Sequence, residues 1–358
     1  MPLADYHRGM TQNDNKCSAI PLVEITRGSL VESIHRGFII AVDPQGAIHA
    51  SIGETETRTW YRSAAKPFQT IPLLASGAAD HFQLSQREIA VINGSHSGEP
   101  IHLEVVGSIL QKTGLSANDL LCGSHSPFDN ESAKKLRAEG QSPHSLHNNC
   151  SGKHSGMLAF AKFIGEPTGN YIDPQHPIQR RILNVISLFT DVSVDEIAVA
   201  VDGCSAPVFG VGIKAMALSY ARLVGVRHTK IGPELANAAE RVVSSMIEFP
   251  EMVGGSRSRL DTDLMKATAG KVISKVGAEG VQLLGVLPCE RYPVGLGIAI
   301  KIEDGDIKRA RDPVVIETLR QLGVLNSAQT AELSRYAGAK IFNHRHLSVG
   351  EIRPCFKL

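Results

Sequence analysis

Apolar positions near the two ends of the chain follow the pattern of β-strands. Short apolar runs, Phe38–Val42 and Ala47–Ser51, flank the turn sequence Asp43-Pro-Gln-Gly46 and predict a hairpin. Two further short strands are predicted before it, over 22–25 and 30–34. The pattern returns late in the chain, over 271–275, 280–287 and 294–301. Strands are therefore predicted at both ends of the chain.

The middle of the chain has a helical pattern, with apolar residues three or four positions apart. The predicted helices cover 63–77, 85–93, 99–113, 130–138, 151–163, 176–189, 210–223 and 232–248. One buried strand is predicted inside this region, over Ile197–Val201, and a last amphipathic helix over 307–322. The order of elements is therefore strands, many helices, strands and a helix.

This order predicts an α/β (α+β) fold. We expect the N- and C-terminal strands to share one largely antiparallel sheet, with a helical subdomain of about residues 63–270 inserted between them. No repeat or linker divides the chain, so residues 19–358 are predicted to form a single domain. Residues 1–18 are polar and aperiodic, and they predict a flexible N-terminus.

Composition excludes several classes of function. The 37 Lys and Arg residues balance 36 Asp and Glu residues, so the chain lacks the basic excess of nucleic-acid binders. No apolar run approaches the ~18 residues that cross a membrane, and the first residues lack the pattern of a secretory signal. Six widely spaced cysteines do not indicate a disulfide framework. We therefore expect a cytoplasmic protein without a nucleic-acid or membrane partner.

The segment Arg62-Ser63-Ala-Ala-Lys66 places a serine and a lysine on one face of a predicted helix. A serine hydroxyl needs a base to act as a nucleophile, and a lysine of lowered pKa supplies one. By itself, this spacing is also that of a helix cap beside a solvated lysine. Ser95, in a loop after a helix, and Lys275, at the end of a strand, follow in the order found in serine β-lactamases and penicillin-binding proteins. Ser95 alone is also consistent with a turn residue.

Two further segments combine thiols with other reactive groups. Cys150, Lys153 and His154 lie at a loop-to-helix junction, and Asp202 and Cys204 directly follow the predicted internal strand. Thiolates from two such loops are able to hold a zinc ion with one or two further ligands and a water. The alternative is a pair of inert buried thiols.

Five segments together resemble a known family. They are Arg62–Gln69, Gly94–Glu99, Asn148–Met157, Asp202–Pro207 and Lys275–Gly280, in this order. The chain resembles the L-asparaginase II family, the rhizobial-type or class 3 L-asparaginases, over about residues 22 to 355. The resemblance implies a fold similar to serine β-lactamases and glutaminases. It also implies hydrolysis of L-asparagine to L-aspartate and ammonia, and a homodimer.

The resemblance further implies roles for individual residues. Its two Ser–Lys pairs correspond to Ser63 with Lys66 and to Ser95 with Lys275, although Lys271 is near the last position. The zinc ligands that it implies, together with a water, are Cys150, Lys153 and Cys204. The expected substrate-binding residues are Arg62, His154, Asp202 and Arg257. For Arg257, which is able to pair a substrate carboxylate bidentately, a solvated turn is the alternative.

The expected mechanism begins when Ser63 attacks the side-chain amide carbon of asparagine, with Lys66 as general base. Ammonia then leaves with a proton returned through the Ser95–Lys275 pair, and water cleaves the acyl-enzyme. Ser95 as the nucleophile is the alternative within this function. Two alternatives of other classes are a penicillin-interacting serine hydrolase and a zinc-binding protein without catalysis.

Overall fold

The computed structural model describes residues 19–358, so the predicted flexible segment 1–18 lies outside the described residues. The strands are β1 (Ile20–Arg27), β2 (Leu30–Val42), β3 (Ile48–Ile52), β4 (Arg58–Trp60), β5 (Ala198–Val201), β6 (Pro207–Gly212), β7 (Val272–Val276), β8 (Val281–Val286), β9 (Leu296–Ile302), β10 (Lys340–Phe342) and β11 (Ser348–Pro354).

The α-helices lie mostly between β4 and β7. They are α1 (Lys66–Ala75), α2 (Ala78–His81), α3 (Gln86–Ile92), α4 (Pro100–Thr113), α5 (Asn130–Ala138), α6 (Ser151–Phe163), α7 (Pro177–Thr190), α8 (Ile213–Val224), α9 (Pro233–Glu248), α10 (Pro250–Val253), α11 (Leu260–Ala267), α12 (Asp312–Gln321) and α13 (Ser327–Glu332). Each predicted helix has a counterpart, and α5 and α6 begin and end at the predicted residues.

The N- and C-terminal strands share one antiparallel sheet, which confirms the predicted architecture. Within residues 19–358 this sheet has eight strands in the order β10-β11-β1-β2-β9-β8-β7, with β3 paired to β2. The pairing of β2 with β9 joins Gly37–Val42 to Gly297–Ile302, and thus links the first strands of the chain to the late ones. The predicted strands 30–34 and 38–42 form one continuous strand of 13 residues.

The centre of the large sheet is buried on both faces, which explains its continuous apolar runs. Along β2, Phe38, Ile40 and Val42 pack into the core on the side of the helical layer. The alternate residues Ile39 and Ala41 pack into a second core, to which α12 contributes. Because successive side chains of a strand point to opposite faces, this single apolar run serves both cores.

A second, three-stranded sheet of order β4-β6-β5 was not predicted from the sequence. Residues 210–212, which were predicted to begin a helix, belong to β6, and α8 begins only at Ile213. The strand β6 is buried and pairs with a strand on each side. Its short apolar run therefore lacks the alternation of polar and apolar residues that would distinguish a strand from the start of a helix. The strands β10 and β11 were missed as well. Across the described residues, no helix has the length and apolar character needed to cross a membrane.

Candidate active site

Ser63 lies in a 3₁₀ turn, Arg62–Ala65, that leads into α1. Arg62 has a φ of 50°, in the left-handed region that residues other than glycine rarely adopt. Its guanidinium is held by an ion pair, with Nε 2.8 Å from Asp202 Oδ1. Ser63 and Ser95 both line one cavity of about 760 Å³. The structure therefore brings the two predicted serines to a shared space and places Arg62 and Asp202 beside it.

Ser95 lies in the loop between α3 and α4, where the backbone passes close to α10. A Cβ on Gly94 would be only 2.4 Å from the backbone oxygen of Met252, so glycine is required at this position. Two lysines donate to the Ser95 hydroxyl. Lys66 Nζ lies 3.0 Å from Ser95 Oγ, and Lys275 Nζ lies 2.9 Å from the same atom. Ser95 is therefore held between two buried amines from different parts of the chain.

Burial lowers the pKa of both lysines, because a charged amine loses its hydration in the protein interior. For Lys66, the nearby thiol of Cys150 opposes this shift. For Lys275, the carboxylate of Asp261 opposes the shift, whereas Lys66 and Arg259 increase it. Each amine therefore loses its proton more easily than a lysine in water, as a base beside a serine requires.

Of the two predicted Ser–Lys pairs, the structure shows Ser95 with Lys275 in contact. Within the described part of the chain, Ser63 Oγ forms no hydrogen bond to a lysine. Lys66 donates instead to Gly94 O, to Ser95 Oγ and, at 3.2 Å, to Asn149 O. Catalytic hydrogen bonds are often long or misaligned before a substrate binds, so the pairing of Ser63 with Lys66 stays a prediction.

Asp261, in the first turn of α11, is a buried carboxylate that the sequence did not single out. Its Oδ1 accepts from Ser274 Oγ at 2.7 Å and from Gln282 Nε2 at 2.8 Å, and its Oδ2 accepts from Val276 N at 3.0 Å. Burial alone would raise the pKa of Asp261, but the charge of Lys275 and these hydrogen bonds hold it below its ordinary value. Asp261 thus fixes β7 on both sides of Lys275.

The predicted zinc ligands come together and are buried. Lys153 Nζ donates to Cys204 Sγ at 2.9 Å. The thiols of Cys150 and Cys204 also interact, which lowers the pKa of Cys150 and raises that of Cys204. Burial opposes the charge of Lys153, but the two sulfurs outweigh it and raise the pKa of this amine.

This cluster fits zinc by the chemistry of its donors, because sulfur and nitrogen are the ligands that zinc prefers. The residues from 19 to 358 include no group of three or more His, Cys, Asp or Glu able to hold a metal. The third protein ligand would therefore be Lys153, whose amine binds a metal only after it loses its proton.

None of the four predicted substrate-binding residues lines the cavity, and His154 and Arg257 are held by other partners. His154 is buried in α6, with Nδ1 2.6 Å from Tyr171 OH, and burial lowers its pKa well below the ordinary value. Arg257 is exposed and forms ion pairs with Asp129, at 2.6 Å, and with Glu131, at 3.1 Å. Neither side chain contributes to the cavity wall.

Several residues that line the cavity were missed from the sequence. Besides Asp261, they include Arg259, two positions beyond the predicted Arg257, and Phe128, Asn149 and Tyr336. Asn149 lies inside a predicted motif, but its residue type alone does not predict a role in the site. The others stand in segments without a recognisable motif, so no signal in the sequence identified them.

A family model for L-asparaginase II matches residues 23–354, nearly the whole chain. The chain belongs to the L-asparaginase II family. It is thereby an amidohydrolase, in agreement with the class of activity that the resemblance implied. No curated protein matches the chain.

Solved structures give more distant matches to this member of the family. A protein named Mglu aligns at 16% identity with a TM-score of 0.43, over 81% of this chain and 66% of Mglu. A probable glutaminase from Bacillus subtilis, complexed with 6-diazo-5-oxo-L-norleucine, aligns at 15% identity with a TM-score of 0.32, over 84% of this chain and 82% of the glutaminase. The chain thus spans slightly less than two thirds of Mglu. At these identities and scores the alignments identify neither substrate nor mechanism.

Proposed function

We propose that this amidohydrolase hydrolyses L-asparagine to L-aspartate and ammonia through a serine nucleophile and an acyl-enzyme. The observation that carries the proposal is the placement of Ser95 Oγ within 3.0 Å of both Lys66 Nζ and Lys275 Nζ, in a cavity that Ser63 also lines. The Ser95 hydroxyl, between two buried amines, is placed to transfer protons from one amine to the other. Ser63, in the same cavity, does not bridge the two amines and is able to attack the substrate.

In the proposed first step, Ser63 Oγ attacks the side-chain amide carbon, and the neutral amine of Lys66 takes the hydroxyl proton. The contact between Ser63 and Lys66 forms when the substrate fills the cavity. As the C–N bond breaks, the leaving nitrogen takes a proton from Ser95 Oγ, which Lys275 replaces from its ammonium group. Ammonia leaves, and the proton on Lys66 passes through Ser95 to Lys275.

In the second step, water attacks the acyl-enzyme and gives its proton to Lys66. The bond between the acyl carbon and Ser63 Oγ breaks, and Lys66 returns the proton to this oxygen. Backbone N–H groups near Ser63 are the proposed donors to the oxyanion, an interaction that typically contributes several kcal/mol.

The contacts also favour one alternative assignment, in which Ser95 is the nucleophile because both lysines already touch it. A diazoketone analogue of L-asparagine, which alkylates a nucleophilic serine, separates the two assignments by peptide mass spectrometry. We expect the label on the peptide that contains Ser63. A label on the peptide that contains Ser95 would reverse the roles of the two serines.

We further propose that Cys150, Lys153 and Cys204 hold a zinc ion. The close approach of one amine and two sulfurs supports this proposal. When bound, zinc supplies a Lewis acid and a site for a water molecule near the substrate. The ion pair of Arg62 with Asp202 lies beside the cavity, and it would orient the charged groups of the substrate.

The reaction is tested by ammonia release from the purified protein with L-asparagine and L-glutamine, with a chromogenic β-lactam in parallel. We expect asparagine turnover, slower glutamine turnover and an inert β-lactam. Hydrolysis of the β-lactam without ammonia from either amide would instead support a penicillin-interacting serine hydrolase. Zinc binding without any turnover would support a non-catalytic metal protein. The homodimer and the cytoplasmic location stay predictions, and light scattering measures the first.

A further inference from the structure

Four cationic side chains line the cavity without a role in the proposed reaction, and they belong to Arg259, Lys308, Arg311 and Arg335. Lys308 and Arg335 are exposed and Arg311 pairs with Asp312, so Arg259 is the one of these four that is neither exposed nor paired with a carboxylate. Arg259, the residue before α11, lines the cavity together with Ser63 and Ser95. Its guanidinium donates only to uncharged oxygens. Nη1 lies 2.8 Å from Ser97 Oγ and 2.8 Å from Gly254 O, and Nη2 lies 2.9 Å from Ser95 O.

Arg259 forms no ion pair with any residue between 19 and 358. The partly buried Arg62 and the buried Arg311 each have a carboxylate partner, in the pairs Arg62–Asp202 and Arg311–Asp312, and the exposed Arg257 pairs with Asp129. The nearby carboxylates of Asp261 and Glu99 favour the charged form of Arg259, but both accept their hydrogen bonds from other groups. Asp261 accepts from β7 and β8, and Glu99 accepts from the backbone and the hydroxyl of Ser256.

A guanidinium that is taken from water without a bound anion is unfavourable, and an anionic ligand removes that cost. The three hydrogen bonds fix the plane of the Arg259 guanidinium beside the backbone of Ser95. A fixed fork of N–H donors is the preferred partner for a carboxylate, because little side-chain entropy is lost when the carboxylate binds.

We propose that Arg259 binds the α-carboxylate of the amino-acid substrate, and so selects amides that carry a free carboxylate beside the reacting group. The inference rests on the proposed function for the identity of that amino acid. It assigns the carboxylate site to Arg259 rather than to Arg257, whose guanidinium is already paired with two carboxylates at the surface.

The test compares two small ligands by isothermal titration calorimetry. L-Aspartate and β-alanine share the amino group and the terminal carboxylate, and they differ only in the α-carboxylate. We expect the unaltered protein to bind L-aspartate about 10- to 100-fold more tightly, the range for charge-assisted hydrogen bonds. In Arg259→Gln this preference should disappear. In Arg259→Lys, which keeps the charge but not the fork, it should shrink and remain measurable.

The matched control is Arg320→Gln, an exposed arginine of α12 that pairs with Glu317, and we expect it to keep the full preference. A purely structural role of Arg259 would weaken both ligands equally and leave their ratio intact, and this result would overturn the proposal. Loss of the preference in Arg257→Gln, or no preference in the unaltered protein, would overturn it too. Where Arg259→Gln fails to fold, the ratio in Arg259→Lys decides.

The calorimetry does not depend on turnover, so it is independent of the ammonia assay. An Arg259-dependent preference for L-aspartate without ammonia release from asparagine would confirm the carboxylate site and refute the proposed reaction. Ammonia release, together with an unchanged ratio of the two ligand affinities in both Arg259 variants, would support the proposed reaction and refute the carboxylate site.

Discussion

The substitution Asp261→Asn tests whether the buried carboxylate stabilises the strand that carries Lys275. Asparagine has nearly the same shape as aspartate, so the change removes a charge and one acceptor without creating a cavity. One amide oxygen is still able to accept from Ser274 and Gln282. The amide nitrogen then faces the N–H of Val276, which loses its acceptor at 3.0 Å.

The expected magnitude follows from these contacts. A buried N–H group without an acceptor costs about 1–3 kcal/mol, and the hydrogen bonds that remain are weaker because they are no longer to a charged oxygen. We therefore expect the free energy of unfolding at pH 7 to fall by about 2–3 kcal/mol. Urea denaturation measures this difference. The control Asp80→Asn, at an exposed ion pair with Arg241, should change it by less than about 1 kcal/mol.

The effect of Asp261→Asn on the free energy of unfolding should depend on pH. The pKa of Asp261 is lowered in the folded protein from an ordinary value of 3.8, so its ionised form stabilises the fold above that pH. This contribution is lost as the pH falls through the lowered pKa. The stability difference between the unaltered protein and Asp261→Asn should therefore narrow below about pH 4. Equal stability at pH 7, or a difference that widens in acid, would refute this account of Asp261.

Three further predictions concern the site. In Ser63→Ala, ammonia release from asparagine should be abolished with the far-ultraviolet circular dichroism unchanged, and normal turnover would exclude this serine as the nucleophile. Cys204→Ser should lower the zinc content measured by mass spectrometry, whereas Cys289→Ser, at an exposed free thiol, should not; equal zinc in both would contradict the proposed ligands. Gly94→Ala places a Cβ 2.4 Å from Met252 O and should lower both the melting temperature and turnover, so unchanged values would show that the loop shifts freely.

Much of the fold was predictable because its strands and helices have distinct periods of apolar residues. The helices 130–138 and 151–163 were located to the residue, and the antiparallel sheet followed from strands at both chain ends. Two kinds of strand were not predictable. The strand β6 is short and fully apolar, so its pattern also fits the start of a helix. The strands β10 and β11 are partly exposed and mix polar with apolar residues. They pair with each other, and β11 joins the sheet through β1, which is distant in the chain.

The site was predictable where several reactive residues stand close together in the sequence. The motifs around residues 63, 95, 150 and 204 contain serines, lysines and thiols at a high density, and the structure buries most of these side chains. Arg259 and Asp261 carry no such mark, since an arginine or aspartate at the start of a helix is most often solvated. Only the fold shows that Arg259 lines the cavity without a carboxylate partner among the described residues. It also shows that Asp261 accepts hydrogen bonds from the residues on both sides of Lys275.

The two buried lysines that contact Ser95, Lys66 and Lys275, influence each other's charge. Both amines contact the same hydroxyl oxygen, so their nitrogens lie within about 6 Å of each other. At this distance, two positive charges repel by about 3 kcal/mol at the effective dielectric of a protein site. Burial also disfavours each charge, so the burial and the repulsion both lower the pKa of the two amines. In the proposed reaction one amine is a base and the other an acid, and the Ser95 hydroxyl passes the proton between them. An amide hydrolysis needs both roles in each half of its cycle.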